Sequence, residues 1–233
     1  MIGMRFWLAV AVLAQAAGLA ANSAQAQTPP SAAELKIYAG LHEAAAKGDA
    51  AEIERLIAAG EKVDLQDSKS RTPLHVAVFL KKYDAVRALL KAGANPNRLD
   101  SERYDVVTIA AVANDVEMLK IVLAGGASAK NITSRYDGTA LIAAAHLGHA
   151  EVVRLLIAAK APLNHVNNLG WTALMESIVL GKGGANHTAT LKALVEAGAD
   201  VNIPDRHRVT PLQHARQRGY AEMARILEAA GAR

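Results

Sequence analysis

Six blocks of about 33 residues recur in register along this chain, and that periodicity constrains its fold more than any other feature. The plainest block opens with Thr72-Pro73-Leu74-His75-Val76-Ala77. After a lysine-rich turn it continues as Ala85-Val86-Arg87-Ala88-Leu89-Leu90-Lys91-Ala92-Gly93-Ala94. Related blocks begin near Ala39, Asp105, Thr139, Thr172 and Thr210, at spacings of 33, 33, 34, 33 and 38 residues. Each holds two short apolar-periodic segments joined by a turn, which predicts a pair of helices. The second segment closes at Gly60, Gly93, Gly126, Gly198 or Gly231, where glycine accepts a left-handed backbone cheaply. In the fourth block Lys160 stands there instead, which predicts a less well-formed helix end. Pro73 and Pro211 fall in the first helical turn, where a missing amide costs nothing. Helices this short cannot bury an apolar face in pairs. They must stack on their neighbours, which gives a solenoid. Composition agrees, because apolar residues make up 52% of the chain, aromatics only 4%, and much of the apolar share is alanine.

The 233 residues also carry an amino-terminal export pattern. Arg5 precedes an apolar run from Phe6 to Ala21, and Ala24 and Ala26 fit the small-x-small site read by signal peptidase. This predicts a signal peptide over 1–26, cut after Ala26. The run is shorter than the about 20 residues of a membrane span. Residues 27–31 read as a linker, and Ser31 with Glu34 as a capping box that opens a helix running through Leu35, Ile37, Tyr38 and Leu41 toward Ala46. The chain has no cysteine, which removes disulfides, thiolate nucleophiles, Cys-ligated metals and a lipoprotein anchor. The expected location is the periplasm, with secretion as the alternative. Lys plus Arg total 26 against 22 Asp plus Glu, and only Arg5 precedes residue 27, so the net charge beyond it is +3. No basic stripe of the kind that binds nucleic acid is present.

The Thr-Pro-Leu-His-x-Ala signature and the period together resemble the ankyrin repeat, over about 195 residues. The resemblance implies an all-α solenoid of about six helix-turn-helix repeats with hairpin-like finger loops. The domain covers 32–233, with repeats at about 39–71, 72–104, 105–138, 139–171, 172–209 and 210–233. It also implies structural work for His42 and His75, which tie the first helix to neighbouring backbone, for His149 in a Gly-His turn, and for the block-opening Thr72, Thr139, Thr172 and Thr210. Two blocks depart from the pattern. The third, Asp105-Val106-Val107-Thr108-Ile109-Ala110, lacks the Thr-Pro-Leu-His network and is expected to be the weakest-specified unit, or one adapted to a contact. The fifth has Met175 at the histidine position and about five extra residues around Gly181–His187, read as a surface loop insertion.

No nucleophile elbow, paired-histidine zinc motif, calcium loop or nucleotide fingerprint occurs, so no catalytic residue, metal site or cofactor is expected. A protein partner is expected instead, on the face formed by the fingers and the exposed sides of the first helices. Arg71, Phe79, Tyr104, Tyr136, Trp171 and His207 are the candidate contacts, since aromatic residues and arginine anchor protein interfaces. The competing reading is that the finger aromatics only cover the neighbouring repeat. A different alternative is a hydrolase or metal-dependent enzyme whose site is assembled across repeats from His146, His187 or His207. A third is a secreted, host-directed effector. The whole chain is similar to small exported ankyrin proteins of Gram-negative bacteria, whose proposed roles include supporting oxidative-stress enzymes and neutralising toxins.

Overall fold

Every repeat start read from the sequence is the N-cap of a helix. The computed structural model describes residues 27–233; the expected leader lies outside the described residues. After α1 (Ala32–Ile37) come six helix pairs: α2 (Gly40–Lys47) with α3 (Ala50–Ala58), α4 (Pro73–Phe79) with α5 (Tyr83–Lys91), and α6 (Val106–Val112) with α7 (Val116–Ala124). They continue as α8 (Ala140–Leu147) with α9 (Ala150–Ala158), α10 (Ala173–Val179) with α11 (Ala185–Glu196), and α12 (Pro211–Gln217) with α13 (Ala221–Ala229). Among the described residues there is no named strand, only an isolated bridge between Thr133 and Gly138.

Caps define the first helix of each pair. The Thr72 hydroxyl accepts from the His75 amide, and His75 Nδ1 accepts the Thr72 amide at 3.2 Å. With Nδ1 engaged as acceptor, Nε2 carries the proton and donates to the carbonyls of Arg98 at 3.1 Å and Tyr104 at 3.2 Å. One imidazole therefore caps its own helix and ties it to the next finger. His42 makes the same outward tie, from Nε2 to the Arg71 carbonyl at 2.9 Å. In the last repeat Gln213 replaces the histidine and still closes a reciprocal box with Thr210. Thr139 and Thr172 cap through their hydroxyls alone, accepting from the Ile142 and Met175 amides.

First helices stack on first helices, α2 on α4 and onward to α12, and second helices likewise from α3 to α13. Alanine makes this close stacking possible: Ala45, Ala77, Ala111, Ala144 and Ala145 are fully buried between neighbours. Among the described residues the main helix contacts run within a repeat or between adjacent repeats, as in a nearest-neighbour solenoid.

Four sequence expectations need correction. The first helix does not run on to Ala46. Tyr38 and Ala39 turn extended, and the chain re-enters helix at Gly40 with φ +56°. Tyr38 is held in the turn by its hydroxyl, which donates to Asp67 Oδ2 at 2.6 Å. The third repeat is not poorly specified either. Asp105 takes over the threonine's role, accepting from the Thr108 amide at 2.8 Å and its hydroxyl at 2.7 Å, while Asn131 donates to its other oxygen. Val106 to Ala111 are all buried beneath this cap. The extra residues of the fifth repeat are only partly loop: Gly181–Gly184 stay outside helix on the surface, while Ala185–His187 lengthen α11 to 12 residues. They are also pinned, because Tyr220 donates its hydroxyl to the Gly181 carbonyl at 3.0 Å, and His187 Nε2 bonds the His146 carbonyl. Lys160, finally, adopts φ +64° where its counterparts are glycines. The helix end closes with the usual bonds, from Lys160 to the Ile157 carbonyl and Ala161 to Leu156.

Candidate functional site

Each finger is folded by one short side chain at its base. Asp67 Oδ1 accepts from the amides of Lys69 and Arg71, Asp100 Oδ1 from Glu102 and Tyr104, Asn167 Oδ1 from Leu169 and Trp171, and Asp205 Oδ1 from His207 and Val209. The third-repeat finger is one residue longer and uses the Ser134 hydroxyl, which accepts from the Tyr136 amide. Successive fingers join by backbone bonds, Ser101 to Lys69, Ser134 to Arg103 and Asn168 to Tyr136, each at 2.9 Å. The result is a row of fingers whose spacing is fixed by main chain.

This register decides which finger side chains face outward. Arg71, expected to contact a partner, is only 2% exposed. Its guanidinium turns inward to pair with Asp67 at 2.8 Å and with Glu34 of α1. Burial works to raise the Asp67 pKa, but the Tyr38 hydroxyl and the Arg71 amide and guanidinium outweigh it and hold the carboxyl below its ordinary value. Arg71 is thus the clasp between α1 and the first finger, and its assignment to the partner face is corrected. Tyr104 is corrected too, since at 6% exposure its ring belongs to the packed core. Burial pushes its hydroxyl pKa upward, so it stays neutral. Phe79 is half-buried and packed against the core. His207 stands exposed on the last finger, away from the other candidates.

Tyr136 and Trp171 are the finger aromatics that remain half-exposed. They stand over a pocket between the fingers of the middle repeats and the first helices α6, α8 and α10. Val112, Ile142, Leu147 and Leu180 give it an apolar floor, with Leu169 beside Trp171 and the buried Tyr104 behind. The Arg135 guanidinium lies 5.5 Å from the Tyr136 ring centre, a cation–π contact that orients the ring.

The pocket also contains a carboxylate that the sequence reading overlooked. Glu176 of α10 is 5% exposed, and its oxygens are engaged by Asn167 Nδ2 at 2.8 Å and His146 Nδ1 at 3.0 Å. The only sequence signal was a carboxylate inside an apolar run, Ala173-Leu174-Met175-Glu176-Ser177-Ile178-Val179. Asn167 thereby folds the fourth finger with one end of its amide and fixes the pocket carboxylate with the other. His146 was a candidate ligand for an assembled site, with His187 and His207. Here His146 faces Glu176, His187 meets the His146 main chain, and His207 lies elsewhere. Among the described residues no group of three or more metal-ligating side chains is arranged to hold an ion. His149, expected in a structural role, sends Nδ1 to the Ala111 carbonyl at 3.0 Å and so links α9 to the preceding repeat.

The helix pairs, fingers and histidine ties are those of a known architecture. The family model for ankyrin repeats, in three copies, matches residues 27–100 and 107–205. The chain belongs to the ankyrin-repeat family. It is 34% identical over 190 residues to the ankyrin repeat protein YahD of Escherichia coli K12, spanning 81% of this chain and 94% of that one. Among solved structures, it matches an ankyrin repeat domain from Acinetobacter baumannii AYE with a TM-score of 0.79 and 43% identity, over 83% of this chain and 98% of the other. The ankyrin repeat protein EF0377 matches with a TM-score of 0.76 and 32% identity, over 81% and 96% of the two chains. Ankyrin repeats are protein–protein interaction modules, which is the class of function the fold assigns to this chain.

Proposed function

We propose that this ankyrin protein is a non-enzymatic binding module of the periplasm whose protein partner seats on the pocket beneath Tyr136 and Trp171. The observation that carries this reading is the convergence of two half-exposed finger aromatics on a ready-made apolar floor, with a fixed polar group at its edge. Such a site offers large contact area at small conformational cost, the usual make-up of an interface anchor. The Glu176–His146–Asn167 cluster supplies directionality: its bonds are already made in the free protein, so a partner meets an ordered acceptor. The signal-like segment supports an exported site of action. Support of an oxidative-stress enzyme and neutralisation of a toxin are the partner roles in keeping with it.

The experiment is affinity capture from a periplasmic extract, using the chain beyond residue 26 as bait and a Tyr136→Ala/Trp171→Ala double variant as control. Loss of a partner from the variant, with its melting curve preserved, supports the reading. Equal recovery by both baits removes it. Fractionation of the producing cell tests the location, and recovery of the chain in the cytoplasm or the medium would contradict the periplasmic assignment.

A further inference from the structure

The pocket beneath Trp171 has another wall, which comes from the other end of the chain. Gln27 lines it together with Tyr104, Tyr136 and Trp171. The arm that brings it there leaves from a fixed base. Helix α1 is clasped by Glu34 on Arg71 and by the Tyr38 hydroxyl on Asp67, and the Ser31–Glu34 capping box sets where the arm begins. From Ser31 the chain runs back through a buried Pro30 and an exposed Pro29 and Thr28 to Gln27. Two consecutive prolines favour an extended, stiff path, and that stiffness lowers the entropy lost on seating the arm.

We propose that Gln27–Pro30 is a built-in, displaceable cover of the ankyrin groove, shielding Trp171 until a partner takes its place. This rests on the pocket being the partner seat. Displaceability follows from how Gln27 sits. Its side-chain amide nitrogen is buried and has no hydrogen-bond partner. A buried donor left unpaired weakens the contact that holds it. Glu176, on the same pocket, takes one hydrogen bond on each carboxylate oxygen and retains further lone pairs. A partner chain that brings a donor within reach of that carboxylate gains what Gln27 forgoes. An arm that fills the pocket about nine-tenths of the time weakens a competitor's apparent affinity about tenfold. The groove is thereby kept from engaging weakly fitting chains.

Solvent access at Trp171 tests this in the isolated protein. In the chain beyond residue 26 Trp171 is the sole tryptophan, and excitation at the red edge of its absorption avoids the tyrosines. Acrylamide quenching is compared between that chain and one carrying Gln27→Gly, Thr28→Gly and Pro29→Gly, with circular dichroism to confirm equal helix content. The expected result is a quenching constant about twofold higher, or more, in the glycine variant. Equal constants overturn the proposal. Should the triple variant fold poorly, Gln27→Ala alone is read the same way, with a rise expected and no change fatal. Quenching requires no partner, so its failure leaves the partner seat standing. Failure of partner capture with the quenching difference intact removes the seat instead.

Discussion

The His75 imidazole ties its own helix to the finger that leads into the next repeat, with Nδ1 on the Thr72 amide and Nε2 on the Tyr104 carbonyl 29 residues later. Because each ankyrin unit touches only its neighbours, such ties set the cooperativity of the whole stack. They also make it sensitive to protonation. Burial drives the His75 pKa below its ordinary value of 6.5, against the raising influence of the Tyr104 and Arg98 carbonyls and of Asp105.

Stability is therefore expected to fall as pH drops through about 6.5, since the unfolded chain takes up a proton that folded His75 refuses. The limiting slope for one such group is about 1.4 kcal/mol per pH unit. His75→Gln, the residue type that the last repeat uses in the same box at Gln213, should keep the cap and flatten this slope, at a cost of about 1 kcal/mol at pH 7.5 for the lost outward bond. Urea titrations between pH 5 and 7.5 check both. A variant whose slope matches the parent's would exclude His75 as the source.

Arg71→Ala should destabilise the protein by about 3 kcal/mol, because it leaves Asp67 with an uncompensated, largely buried charge and releases α1. Denaturant unfolding measures the loss. The same variant, below its melting temperature, should retain any partner bound at Trp171.

Asp105→Ala tests the substitute cap of the third repeat. It removes the acceptor for the Thr108 amide and hydroxyl and for Asn131, so a cost of about 2 kcal/mol is expected, above that of an ordinary exposed cap. Hydrogen exchange should show the effect first in α6.

Lys160→Gly runs the other way. The lysine is held at φ +64°, a region disfavoured for side chains with a Cβ, and glycine stands at the corresponding point of the other repeats. Relief of that strain should add about 0.5–1 kcal/mol, seen as a small rise in melting temperature.

The repeat boundaries were legible in the sequence because the signal is local and stated six times. Thr72, Asp105, Thr139, Thr172 and Thr210 each mark a helix start through a side chain that bonds three residues on. What sequence reasoning missed depends on contacts between distant parts of the chain. Arg71 lies on a finger by spacing, but Asp67 folds the finger so that the guanidinium points inward, where α1 supplies Glu34. The recurring Asp or Asn at 67, 100, 167 and 205 would have revealed that register. Tyr104 was placed on the partner face by the same spacing, and packing between neighbouring repeats seals it. Glu176 was hidden by its apolar neighbours, since its partners come from the preceding repeat. Trp171 and Tyr136 survive as candidates because their fingers leave part of each ring in solvent.

Partner capture by Trp171→Ala compared with the parent chain tests the central claim most directly. Trp171 is half-exposed, so its removal should leave the melting temperature within a few degrees while reducing recovery of the bound protein at least about tenfold, as expected of an interface anchor. Undiminished recovery by a folded Trp171→Ala protein would contradict the account.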